Sequence, residues 1–213
     1  MSTNTSLQFS SRELRDLGLA WVALGFAFAI FFAGGGMAAI SNVVEGGLLG
    51  PFLVSLLTAG IGFLLHELAH KVVAVRYGQV AEFRADYGML FLAVMSSLAG
   101  FIFAAPGAVH HRGMLTEREH GLIALAGPVT NLFLAAVFLP VLLVGVFGGS
   151  EFVGLVGSRG VTINLFLAAF NMLPFGALDG NTVISWSKGV FAAVFVPSLL
   201  LVVGMFVFGF GLF

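Results

Sequence analysis

The stretch Leu64-Leu-His66-Glu67-Leu-Ala-His70-Lys71 places two histidines and a glutamate inside a run otherwise fit to cross a membrane. From Phe52 to Val75 the only other ionisable group is Lys71, at the polar end. On a helix His66 and His70 fall one turn apart on one face, the spacing with which two imidazoles grip one metal ion, Zn²⁺ above all. Glu67 lies about a quarter turn round, within reach of a water that such an ion activates. In a soluble helix the pattern His-Glu-x-x-His is weak, because two surface histidines beside a carboxylate satisfy it. Here the surroundings decide. An acidic side chain at the centre of a membrane helix costs about 2.5–3.5 kcal/mol on insertion scales, so Glu67 needs either a chemical role or a polar partner on another helix.

The chain as a whole is of this kind. Its 213 residues are 59% hydrophobic and 9% charged, with a mean hydropathy of +1.08, which is far outside the soluble range and marks a polytopic membrane protein. The apolar runs leave no room for a soluble domain between them. The expectation is therefore one membrane-embedded domain over residues 1–213, with a core at about 52–182 and flanking helices at 17–40 and 190–213. The bilayer is the partner that this composition requires, and a net charge of −1 speaks against nucleic acid. Cysteine is absent, which removes disulfides, thiolate ligands and a cysteine nucleophile together. Any metal must then be held by His, Asp, Glu or Asn. The first apolar run, Leu17 to Ile40, is too long for the apolar part of a signal peptide and reads as a retained helix.

Along the chain, residues 1–11 are polar and expected to fray, and Gly34-Gly35-Gly36 is expected to loosen the end of the first helix. Pro51 opens the second helix, which ends near Lys71, Arg76 and Tyr77. Gln79 to Tyr87, with Glu82, Arg84 and Asp86, reads as a short cytoplasmic strand or loop. Gly88 to Ala105 is long enough to span, yet Ser96-Ser97, Gly100 and Pro106-Gly107 also suit a re-entrant segment. Gly107 to Gly113 reads as a strand returning to the surface, with His110 and His111 as interfacial histidines by default and a second metal site as the alternative. Thr116-Glu-Arg-Glu119 is a capping box that starts a helix to about Phe147, interrupted by Gly127-Pro128 next to Asn131. A further helix runs from Val161 to Leu173 and breaks at Pro174, and the last runs from Val190 to Phe213.

Two histidines do not complete a zinc site; a catalytic one takes three protein ligands and a water. Glu82 and Asp86 lie too near in sequence for a glutamate on a second helix, and Glu117 and Glu119 are accounted for by a helix start. Asp179 has no such explanation. Taken together, His66-Glu-Leu-Ala-His70, Gly127-Pro-Val-Thr-Asn131 and Asn171-Met-Leu-Pro174-Phe-Gly-Ala-Leu-Asp179-Gly180 resemble, in order, the three signatures of the site-2 protease family of intramembrane zinc metalloproteases. The resemblance covers residues 52 to 182, without PDZ or CBS domains. It implies that His66, His70 and Asp179 hold one Zn²⁺ per chain and that Glu67 is the general base. It also implies that Asn171 stands near the reacting carbonyl and that Gly127, Pro128 and Asn131 belong to a loop lining the substrate, a transmembrane protein.

The competing class is a non-catalytic membrane protein, either a structural or binding partner or a carrier of metal ions, and a carrier would distribute polar groups along a path across the bilayer rather than on one side. A prenyl-protein-type metalloprotease shares the first motif but leaves the Asn171–Gly180 stretch unexplained. Topology follows from parity. If His66, His70 and Asp179 meet, the segment between Arg76 and Thr116 must begin and end on one side. Residues 88–105 are then expected to dip into the membrane and return, or to lie within the bundle, giving an all-α protein of about five crossings with short cytoplasmic strands, an inner N-terminus and an outer C-terminus. Substrate identity and oligomeric state are open at this level.

Overall fold

The computed structural model describes residues 6–103 and 106–207. The start of the polar tail and the last six residues of the expected final helix lie outside these. Five helices are long and apolar enough to cross a membrane: Ser11–Phe32, Leu49–Arg76, Glu117–Gly148, Glu151–Asn171 and Lys188–Met205. With one two-stranded antiparallel sheet, they make an all-α multi-pass membrane protein. Helix starts carry their expected chemistry. Ser10, Asp86, Thr116 and Ser150 each accept a hydrogen bond from the backbone N–H three residues on, and Thr116 and Glu119 form the reciprocal capping box.

The first apolar run is two helices rather than one. α1 (Ser11–Phe32) ends where Gly34, Gly35 and Gly36 all take positive φ, and the chain turns into α2 (Gly36–Gly46). The second span starts at Leu49, two residues before Pro51. It consists of α3 (Leu49–Ser55), a π-helical turn (Leu56–Gly60) and α4 (Ile61–Arg76). The Trp21 indole N–H donates to the Leu56 carbonyl of the π turn at 3.1 Å. Such turns cluster at functional sites, and this one lies less than two turns before His66.

The ambiguous middle segment is resolved by the sheet. β1 (Val80–Ala85) leads into α5 (Tyr87–Leu98), and β2 (Gly107–Arg112) follows. The strands pair from Val80↔Arg112 to Ala85↔Gly107, and the Asp86 N–H donates to the Pro106 carbonyl at 3.0 Å. The excursion therefore ends where it began. α5, at about 18 Å by helical rise, is also too short for a core of about 30 Å. The edge-on contact of Phe63 with Phe83, 5.7 Å between ring centres, holds the sheet against α4.

α6 (Glu117–Gly148) and α7 (Glu151–Asn171) run antiparallel, with Gly145 against Gly154, Leu142 against Gly157 and Phe138 against Gly160. α7 begins ten residues before the expected Val161. Its glycines have the composition of a loop, but they form the flat seam that lets the two backbones approach. α7 ends at Asn171, just before the expected break at Pro174, and Asp179 opens a separate helix, α8 (Asp179–Trp186). The last helix, α9 (Lys188–Val207), exposes Leu199, Leu200, Leu201 and Val203, as a lipid-facing helix does.

Candidate metal centre

α4 presents His66 and His70 from one face, and the turn between α7 and α8 brings Asp179 to them. One ligand atom from each of the three lies within 4.8 Å of the others. Among the described residues, no other trio of such side chains is close enough to share an ion. Asp179 Oδ2 lies 3.2 Å from His66 Nε2 and 3.4 Å from His70 Nε2. The two rings stand nearly perpendicular, 4.6 Å between centres.

The hydrogen bonds behind the rings set their tautomers. His70 Nδ1 is 2.7 Å from the Ile123 carbonyl, which can only accept, so Nδ1 carries the proton. His66 Nδ1 is 2.6 Å from Asn131 Oδ1. The Asn131 amide nitrogen donates to the Gly62 carbonyl at 3.2 Å and to Asn164 Oδ1 at 2.9 Å, so its oxygen must face His66, and Nδ1 again is the donor. Both Nε2 atoms are thus left with lone pairs pointing at a carboxylate oxygen that is buried without a hydrogen-bond partner. Protonating both rings would bring two positive charges together in a buried site, at a large cost in desolvation. Three converging electron pairs on N, N and O are instead the donor set that zinc takes. The residues fit the ion.

Two glycines make this convergence possible. A Cβ at Gly127 would lie 2.5 Å from His66 Nε2, His66 Cε1 and His70 Nε2, so α6 comes this close to the imidazoles only without one. At Gly180 a Cβ would collide with the Met172 carbonyl, which keeps the α7–α8 turn tight enough to deliver Asp179.

The centre opens into a cavity of about 430 Å³ lined by His66, Glu67, His70, Asn171 and Asp179, with β2 along one wall. Glu67 is buried and makes no hydrogen bond or ion pair to the described residues, so its carboxylate is available to whatever enters. Asn171 ends α7 on the cavity wall, where one amide N–H donates to the Leu167 carbonyl at 3.0 Å. Gly127, Pro128 and Asn131 do not line the cavity. They are buried in the continuous helix α6 rather than in a loop, because Asn131 is held by three partners and Gly127 lies against the Nε2 edges of both imidazoles. Sequence reasoning missed Asn164, which orients Asn131 and itself donates to the Gly160 carbonyl at 2.9 Å. An amide in mid-span of an apolar helix was the available signal. His111 and His120 also border the cavity, 5.4 Å between ring centres. Burial, followed by the nearby His120 and His110, lowers the pKa of His111.

Because Asn131 fixes the tautomer of His66, Asn131→Ala is expected to weaken zinc binding about 10- to 100-fold without removing a ligand. Competition with a chelator of known affinity measures this, and unchanged affinity would assign the orientation of His66 to packing alone.

Comparison with known proteins gives a consistent picture. The sequence is 40% identical over 192 residues, 89% of this chain and 92% of the relative, to a protein of Methanocaldococcus jannaschii named a "putative zinc metalloprotease". A Bacillus subtilis protein of the same description is 32% identical over 152 residues, 63% of this chain and 68% of its own. One from Mycobacterium tuberculosis is 35% identical over 123 residues, 57% of this chain and 27% of its own. No family model matches the chain, and no solved structure does.

Proposed function

Since the chain belongs to the zinc-metalloprotease family of these relatives, we propose that it is an intramembrane protease of the site-2 type, hydrolysing a peptide bond within or near the transmembrane segment of a membrane protein. The observation that carries this reading is the convergence of His66, His70 and Asp179 beside an unpaired Glu67, in a cavity walled by membrane-spanning helices and a strand.

His66, His70 and Asp179 would hold one Zn²⁺, which when bound polarises a carbonyl and makes water more acidic. Glu67 takes the proton from the attacking water and returns it to the leaving amine. Asn171 keeps a second amide N–H beyond the one given to Leu167, and that donor serves the oxyanion as it forms. A substrate helix must first be locally unwound, because its peptide bonds are shielded and paired. β2 then accepts the opened segment as an added strand. In this reading the site lies toward the cytoplasm, with Arg12, Arg15, Arg76, Arg112 and Arg118 on that side and Glu45 and Glu151 on the other.

The test is cleavage of a synthetic transmembrane peptide by the detergent-purified chain, with and without a chelator. Loss on chelation and recovery with zinc are expected, and full cleavage by metal-stripped protein would overturn the proposal. Asn171→Ala is expected to lower kcat about 10²- to 10³-fold with zinc retained. Loss of folding rather than of turnover would make Asn171 a helix-end residue only.

A further inference from the structure

The two edges of the sheet are treated differently. On β1 the Phe83 N–H donates to Glu13 Oε1 at 3.0 Å and the Ala85 N–H to Asp16 Oδ2 at 3.4 Å, so outward-facing donors of this strand end on carboxylates of α1. Asp16 also accepts from the Tyr87 hydroxyl at 2.6 Å, and Ser10, just before α1, bonds Glu82 of the same strand. The other oxygen of Glu13 pairs at 2.5 Å with Lys71 Nζ, on the residue that follows His70. Lys71 is completed by the Gln8 carbonyl at 2.5 Å and the Phe9 ring at 4.0 Å. The N-terminal residues expected to fray are thus held down from Gln8 onward.

Glu13, Asp16 and Lys71 are 1%, 1% and 2% exposed. Buried ion pairs can commonly be replaced by packed apolar side chains without loss of stability, so stability alone does not account for three buried charges at this point. Their effect on geometry does. In an antiparallel ladder, residues opposite one another share the direction of their backbone groups. Since the N–H groups of Phe83 and Ala85 face outward, so do the groups of their partners Val109 and Gly107, and by alternation those of His111 opposite Ala81. Gly107, Val109 and His111 all line the cavity, and their outward groups have no partner among the described residues.

We propose that Glu13 and Asp16 are positioning residues: they seal the outer edge of β1 and, through Lys71, hold the sheet at a fixed place against α4, so that an extended substrate segment adds only to β2 and arrives in register with Glu67. This rests on the protease reading above. The seal leaves one edge open, the edge that lines the cavity, and ties that edge to the helix that carries His66, Glu67 and His70.

The experiment uses the full chain in detergent and has two readouts. Amide hydrogen exchange over residues 80–86 is expected to quicken about 10- to 100-fold in Glu13→Ala, the effect of losing hydrogen bonds to a charged acceptor. With a synthetic transmembrane peptide, the same variant is expected to show a KM raised about tenfold, with kcat and zinc content near wild type. Glu13→Gln, which keeps an acceptor for Phe83 but loses the charge facing Lys71, is expected to lie between the two. Unchanged exchange in β1 overturns the proposal. So does a loss of zinc and kcat in step with KM, which is the pattern of a purely structural residue. If Glu13→Ala does not accumulate, Asp16→Ala carries the same test at Ala85. Faster exchange in a chain whose wild type cleaves no peptide overturns the protease reading and the substrate half of the proposal, leaving the seal itself supported.

Discussion

Glu67→Gln is expected to lower peptide cleavage by about 10²- to 10⁴-fold while leaving zinc bound at one per chain. The side chain follows His66 directly, lines the cavity and has no hydrogen-bond partner among the described residues, so its replacement by a neutral isostere leaves the packing and the three candidate ligands in place. What the amide lacks is a basic oxygen that can take a proton from water and hand it on. A carrier of metal ions would also bind zinc, but would cleave nothing even as wild type. Metal content and cleavage measured on one preparation separate the two classes. A Glu67→Gln chain that cleaves at the wild-type rate would remove Glu67 from the mechanism.

Gly127→Ala is expected to lose zinc, with apparent affinity falling by about 100-fold or more and cleavage falling with it. The new methyl would lie 2.5 Å from His66 Nε2 and His70 Nε2, closer than any real carbon contact. Neither ring can retreat without breaking its bond to Asn131 or to the Ile123 carbonyl, and α6 is held against α7 by the glycine seam farther along the helix. Overpacking of this kind costs about 1–3 kcal/mol even where nothing but packing is at stake. The measurement is zinc stoichiometry under chelator competition, alongside thermal unfolding. The outcome also decides between two roles for Gly127. A glycine that lines the substrate would leave zinc untouched and raise KM, whereas one that makes room for the imidazoles would empty the site.

The two variants probe different parts of the same centre. Glu67 faces the cavity and is accessible to a substrate, whereas Gly127 is buried against the Nε2 edges of both rings and does not line the cavity. A site with an open front and a filled back is what holding two neutral imidazoles in one tautomer requires. The bonds to Asn131 and Ile123 supply that back from α6.

The sequence by itself determined the features that depend on near neighbours. His66 and His70 share a face because their spacing is one helical turn, and the cost of Glu67 in an apolar run could be judged from composition. The capping box at Thr116, the five apolar spans and the interruption at Pro174 are local in the same way. Parity, too, required only that the motifs meet, and it located the return of the middle segment that the paired strands display. The tertiary structure decided whatever depends on partners distant in the chain. Asn131 and His66 are 65 residues apart, and no local pattern tells an amide that holds an imidazole from one that lines a substrate. The first ten residues of α7 lie outside the helix expected from Val161, since what their glycines contribute is the absence of a side chain at a contact with α6. Nor does any spacing pair Glu13 with Phe83 or Lys71, because buried carboxylates take their meaning from the backbone donors and cations that folding brings to them.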